Sequence, residues 1–587
     1  MNINFAYLQA EEADADSIMS RFSCYRHEFT KHELMNWVVD RAEDGEKITV
    51  SGLIVGKIGL EAPDLMIDGA RVLIENLGEK LYKTEEQSSV YRALNFFRFK
   101  KILLLDGREI RYRLDGEENS FHLWKKDQNP YFDYMSCNGT PKGKINLWKG
   151  VAQDIREKRC QLLLIGGDMV YSDEKDGKAP SIFELPIIKE WVEWIKSKRS
   201  ADEIQKYEEG MKAREKEIKD MLRDFFARLY LSCYLDIKDV ARSCLAIMQL
   251  DDHELYDGAR KTNLWLAELI RAIGIEAYLL FQHHVTQDEL TRANGFLDDT
   301  SGKIYRLSQK KALVAFDMRM KREDGLMISN GAFTQAYDCL LSNVKELETV
   351  DIMIVIPIVF PSFPLWLAGC LTDEQNPIDG TTELQDDMKD GWKYDSDSLK
   401  RLFDMVKLLT IVNPSVKFRF YAGDVHVGCM SKIVLPPSLT FDREIGIEEV
   451  ASSGIGSEAP FSPWENYAFT VWQELKNCIH PFACCDCSEC TCFCCDHGPS
   501  CCSSHMNFLR AENAKGVFIT QQNYFSSARN GFVTSNEVYK VNFDDRSCLQ
   551  CVRDVFGCCG LICDSCGSGN AVEDKEPISN PLPYAMA

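Results

Sequence analysis

Positive charge is in short supply in this chain of 587 residues: 68 lysines and arginines face 90 aspartates and glutamates, a formal net charge of −22. A field of that sign disfavours nucleic acid and anionic membrane surfaces, so no specific nucleic-acid binding is expected, and any affinity for anions must come from a local pocket. An uninterrupted apolar span is also missing. The one long apolar run, "IMIVIPIVFPSFPLWLAGC" (Ile352 to Cys370), is broken by Pro357, Pro361 and Pro364. A membrane helix that short tolerates such breaks poorly, so the run predicts a buried parallel strand followed by a proline-bearing loop, and no transmembrane span. The opening "MNINFAYLQAEEADADS" shows no basic stretch leading into an apolar one, hence no secretory signal. A cytoplasmic, reducing location is the expectation. Cysteine is scarce over most of the length, with eight scattered singly and sixteen gathered between Cys478 and Cys566. In a reducing compartment such clusters favour metal or lipid attachment over disulfides.

What is present suits a soluble globular protein. Hydrophobic residues make up 45% and charged residues 27%, and the length calls for more than one packed unit. Residues 1–130 read as a β-rich, sandwich-like module. "KITVSGLIVGKIGL", "ARVLIENLG", "KKILLLDGREIRYRLDG" and "NSFHLWKK" are short strands punctuated by turns at Asp106-Gly107 and Asp115-Gly116. From 131 to about 545 apolar strands alternate with helical patterns, which predicts a layered α/β domain. Within it, "SADEIQKYEEGMKAREKEIKDMLRDFFARLYLSCYL" reads as one long helix whose Glu/Lys pairs form a solvated face.

Four strand ends carry unusual residues: "MSCNG" (Cys137, Asn138), "IGGDMVY" (Asp168, Tyr171), "MQLDDHELYDG" (Asp251, Asp252, His253, Asp257) and "YAGDVHVG" (Asp424, His426). Carboxyl ends of strands line the ligand crevice in open α/β folds, so four such ends can converge. Singly, each has an ordinary reading, since "GD" after a strand is a common turn and "DxH" a common exposed pair. Together they supply the residue types of a two-metal phosphoester site. Asp168 is the candidate bridge between two cations, Tyr171 suits a hard trivalent iron, and a thiol at Cys137 would coordinate as thiolate. Asp252 and Asp257 offer oxygen to a harder cation, while His253 is either a ligand or the proton donor to a leaving alkoxide. Asp424 and His426, two apart, project to one side and could close the shell.

"GGDMVY" fits the GDxxY element of metallophosphoesterases of purple acid phosphatase type, and with "SCNG", "DDHE" and "GDVHV" the chain resembles the PhoD-like phosphatases over roughly residues 130–545. The resemblance implies a four-layer αββα metallophosphoesterase fold behind an N-terminal β-rich domain. It implies a dinuclear centre, Fe(III) with Ca(II), that activates water for in-line attack on phosphorus in a phosphomonoester or phosphodiester, whether a small molecule or a lipid headgroup. By position it implies metal ligands at Cys137, Asp168, Tyr171, Asp252, Asp257, Asp424 and His426, and catalytic roles for Asp252 and His253. The family often has an amide at the place of Asp257. "AFDMRMKR" is similar to the family's Asp-x-Arg strand, making Arg319 either a phosphate ligand or a structural cation. PhoD-type enzymes are commonly exported, so the absence of an export signal points to an intracellular branch.

The cysteine-rich end departs from the family. "CIHPFACCDCSECTCFCCDHGPSCCSSH" (478–505) interrupts the domain before "GVFIT", its expected last strand, and the tail 546–587 carries "CLQC" and "CDSC". Cys548, Cys551, Cys563 and Cys566 have a zinc-ribbon-like pattern with a short gap. The rival reading is S-acylation of the double cysteines, which would give peripheral membrane contact. An interaction protein that keeps the fold and works through these segments is the alternative to an enzyme.

Overall fold

The structure is a computed structural model. It describes residues 17–451 apart from 82–88, 139–147, 159, 174–179, 198–200, 287–288, 290–301, 321, 323–325, 359–391, 393–395, 425–428 and 436–444. All of these lie in a unit running from Met1 to Val538. The cysteine-rich insertion, the "GVFIT" strand and the tail fall outside the described residues, and so does the proline-bearing loop after residue 358.

Among the described residues, seventeen strands appear in chain order: β1 (Glu33–Arg41), β2 (Lys47–Lys57), β3 (Leu65–Ile67), β4 (Ala70–Arg71), β5 (Ile74–Asn76), β6 (Leu94–Leu104), β7 (Glu109–Leu114), β8 (Glu117–His122), β9 (Phe132–Met135), β10 (Leu162–Ile165), β11 (Leu245–Met248), β12 (Gly302–Ser308), β13 (Lys311–Phe316), β14 (Thr349–Met353), β15 (Lys417–Ala422), β16 (Cys429–Leu435) and β17 (Ile445–Ala451). They form a seven-stranded sheet β5-β6-β2-β1-β11-β10-β9, a six-stranded sheet β12-β13-β14-β15-β17-β16 and a small sheet β4-β3-β7-β8. The β7–β8 hairpin closes through Asp115 and Gly116, both at positive φ (48° and 89°), as a two-residue primed turn requires.

Strict alternation places the strands. Leu163 and Ile165 of β10, with Ala246 and Met248 of β11, pack with the helices Glu215–Asp236 and Trp265–His283. Their neighbours Leu162, Leu164, Leu245 and Ile247 join a second cluster with Leu313 and Ala315 of β13 and Tyr421 of β15. Ala312, Val314 and Phe316 of β13 face a third cluster with the helices Asn330–Asn343 and Ser396–Val412. Strands buried on both faces must be apolar throughout, which is why β10, β11 and β13 read as continuous hydrophobic runs.

Two expectations need correction. The N-terminal strands do not form a module of their own, because β1 pairs in parallel with β11 through Trp37↔Leu245 and Val38↔Ala246. A nine-residue strand buried along most of its length cannot stand at an edge, so β1 shares the large sheet and the boundary near 130 falls within it. The long charged helix is two helices, Ala201–Lys212 and Glu215–Asp236. The break lets Glu208, buried rather than solvated, accept from Trp191 Nε1 at 3.2 Å and from the N–H groups of Trp265 and Leu266 at 3.0 and 3.3 Å, at the start of the next long helix.

That next helix ends in two buried histidines. His284 adopts a left-handed conformation, φ 57°, and closes the helix. Its Nε2 donates to Asn36 Oδ1 at 2.9 Å and its Nδ1 lies within hydrogen-bond distance of Ser51 Oγ, at 2.7 Å. His283 sits with Nδ1 3.3 Å from Lys303 Nζ. Burial, and then the neighbouring cations, hold both imidazoles well below the ordinary range. Unfolding frees them to bind protons near pH 6.5, so the unfolded state gains protons as pH falls and stability drops by about 1.4 kcal/mol per pH unit for each. Denaturation midpoints followed from pH 7.5 to 5 should show this slope, reduced by one such contribution in His284→Asn; an unchanged slope in the variant counts against it.

Candidate metal centre

The site is built at the carboxyl ends of β9, β10, β11 and β15. Leaving these strands, Cys137, Asp168 and Asp424 all take left-handed φ (56°, 54° and 65°), which non-glycine residues adopt at a cost of roughly 1–3 kcal/mol. Two glycines permit the approach. Gly167 has φ +98°, and a Cβ there would lie 2.5 Å from Asp251 Cβ; a Cβ on Gly423 would meet Ser136 Cβ at 2.5 Å. The "GGD" and "AGD" turns therefore let carboxylates from different strands crowd together. Gln249, just past β11, donates to the carbonyls of Phe316 (2.7 Å) and Met353 (3.0 Å) and so ties one large sheet to the other beside the site.

Among the described residues, two groups bring potential ligand atoms within 4.8 Å of one another: Asp168, Asp252 and His253, and Asp168, Asp251, Asp252 and Asp424. They share Asp168 and Asp252. Tyr171 donates to Asp168 Oδ2 at 3.3 Å, and its ring stacks on His253 at 4.3 Å. Cys137 is fully buried beside these residues but stands outside both groups; its thiol donates to Ser136 Oγ at 3.1 Å and to the Asp424 carbonyl at 3.6 Å. Asp257 is also outside both groups, its N–H donating to Asp173. Arg319, fully buried, lies against Asp251 Oδ1 through Nη2 at 2.5 Å and Nε at 2.7 Å, and against Asp252 at 3.3 Å. Its charge is engaged by carboxylates. His426 and the four tail cysteines lie outside the described residues.

Asp251, named from the sequence at the end of its strand, is one of three further acidic residues that matter here; the other two, Asp173 and Glu254, were not singled out. Asp251 joins the second group. Asp173 accepts from His253 Nδ1 at 2.8 Å, fixing which ring nitrogen faces away from it. Glu254, fully buried, takes hydrogen bonds from the backbone on either side of the cluster. Their nearness to "DDH" and "GGDMVY" was the one available signal.

Burial pushes the Asp168 carboxyl well above the usual range, helped by Asp252, against the opposing pull of His253. Asp251 is pushed up by burial too, with Arg319 opposing. Burial acts on Asp252 in the same direction, but Arg319, His253 and the Gly258 N–H outweigh it and hold the carboxyl below the carboxylate range. For His253 burial disfavours the charged ring, yet Asp173 and Asp168 prevail and raise it well above an ordinary histidine. Burial carries the Glu254 carboxyl up to about 7, against the N–H groups that favour its charge. Burial and then Asp168 push the Cys137 thiol well up. Asp168 Oδ1 and Asp251 Oδ2 are buried without a hydrogen-bond partner. Crowded, desolvated carboxylates with oxygens left over fit cations.

Residues 135–366 match the model of a family described as PhoD related phosphatase. That segment contains Cys137, Asp168, Tyr171, Asp252, His253 and Arg319, while Asp424 lies beyond it. Over 410 residues the chain is 25% identical to an uncharacterized protein of Saccharomyces cerevisiae, covering 57% of this chain and 56% of that one. The match thus spans little more than half the relative's length. A solved structure titled "Structure of PhoD" overlaps 72% of this chain and 77% of its own, with 11% identity and a TM-score of 0.43.

Proposed function

We propose that this chain, whose residues 135–366 match the model of the PhoD related phosphatases, is a metal-dependent phosphoester hydrolase with a dinuclear centre. The observation that carries the reading is the pair of overlapping ligand groups sharing Asp168 and Asp252 at the strand ends. When bound, two cations supply the acidity that makes water a nucleophile near neutral pH and neutralise charge developing on phosphorus. The chain's own residues do the rest. Asp168 and Asp252 would serve both ions, Asp251 and Asp424 would add oxygen ligands for calcium, and Tyr171 and Cys137, beside Asp168, would add the phenolate and thiolate suited to iron. Asp173 keeps a proton on His253 Nδ1, so Nε2 is the atom that hands a proton to the departing oxygen. Arg319 orients Asp251 and Asp252 in preference to binding phosphate. The reading carries with it a four-layer αββα arrangement, for which the three apolar clusters are the support.

No helix among the described residues is long and apolar enough to cross a membrane. The substrate is a phosphoester reached from water, assigned here to the small-molecule class.

Purified full-length protein should hydrolyse an aryl phosphate monoester or the matching diester, lose activity on chelation and regain it on adding metal back. Elemental analysis should find iron with calcium. Activity that survives complete chelation would overturn the metal reading, and zinc alone would overturn the assignment of the ions.

A further inference from the structure

Glu254 lies two residues after Asp252 yet faces the loop that carries Asp168. Its Oε2 accepts the N–H of Asp168 at 3.0 Å and of Asp251 at 2.9 Å, and its Oε1 accepts the N–H of Met169 at 2.7 Å and Gln282 Nε2 at 3.2 Å. One carboxylate oxygen thus joins the loop after β10 to the loop after β11. The consecutive N–H groups of Asp168 and Met169, just after the positive-φ turn at Gly167, both reach this one carboxylate. It is fully buried.

We propose that Glu254 is a positioning residue that sets the separation of Asp168 and Asp252, and thereby decides whether a second cation binds beside the first. The proposal rests on the dinuclear reading above. A second-ion site made from residues of two loops is formed only if the loops are held in register before the ion arrives. Glu254 supplies that register through main-chain bonds, which a side-chain rotation at Asp168 or Asp252 does not disturb. Glu254→Gln keeps the size but offers one accepting oxygen in place of two, so an amide NH2 must face at least one loop N–H.

The test uses full-length protein stripped by chelation and titrated with Mn2+ alone, followed by electron paramagnetic resonance. Wild type should take up two ions with spin-coupled spectra. E254Q should bind the first ion but lose the coupled signal, with second-ion affinity down about 10–100-fold. Two coupled ions bound by E254Q as tightly as by wild type would overturn the proposal. Should E254Q not fold, hydrogen exchange of the metal-free wild type decides. Amides of Asp168, Met169 and Asp251 that stay protected without metal support the role, and fast exchange there overturns it. Wild type that takes up no Mn2+ sinks the dinuclear reading itself, a result distinct from the exchange measurement.

Discussion

Asp168→Asn should cut phosphoester hydrolysis by more than about 100-fold, beyond the usual loss for an outer partner of a metal ligand, and leave at most one bound cation, with the fold intact. Asparagine tolerates the left-handed backbone that Asp168 adopts at φ 54°, so no strain is added. Its amide oxygen still accepts from Tyr171, and the main-chain N–H still donates to Glu254. What disappears is one of the two carboxylates common to both ligand groups; the other, Asp252, stays paired with Arg319. Metal content, activity and circular dichroism measured on one preparation check this; wild-type turnover in the variant removes Asp168 from the centre. Because burial raises the Asp168 carboxyl in the metal-free state, protons compete with cations there, and metal affinity should fall as pH is lowered.

The largest expected stability effect lies elsewhere. Asp351 on β14 shares its strand face with Met353, in the cluster joining the two large sheets, and its Oδ2 is 2.5 Å from Lys311 Nζ. Both residues are buried, and the ammonium sits 4.6 Å from the Phe132 ring centroid, on a strand of the other sheet. Asp351→Asn strands the ammonium without a counter-charge and should destabilise by about 3–5 kcal/mol; Lys311→Met, leaving the carboxylate alone, should cost a similar amount. Replacing both with apolar residues of similar volume should restore most of the loss, because desolvation of the pair offsets much of its attraction. Denaturation midpoints of the two single variants and the double Lys311→Met/Asp351→Leu measure the coupling. Additive losses would mean that the two side chains do not depend on one another.

The candidate ligands were legible because each follows a run that reads as a buried strand: "FDYMSC", "LLLIGGD", "LAIMQLDDH" and "KFRFYAGD". Their partners were not. Arg319 meets Asp251 across 68 residues of sequence, and Glu254 meets the Asp168 N–H across 86. The "DG" turns were readable from local conformational preference. The place of β1 inside the large sheet was not, since a β-rich opening stretch looks alike whether it pairs with itself or with a strand two hundred residues away.

On its own, the order of amino acids indicated several of the strands and which residue types follow them, because periodicity and turn chemistry are local. Only the folded chain decided that Asp168, Asp251, Asp252 and Asp424 share one small volume, that Cys137 lies beside them with its thiol turned to Ser136 and the Asp424 carbonyl, and that Arg319 serves carboxylates. Those outcomes depend on strand order and on close approach at Gly167 and Gly423, and long-range packing sets both.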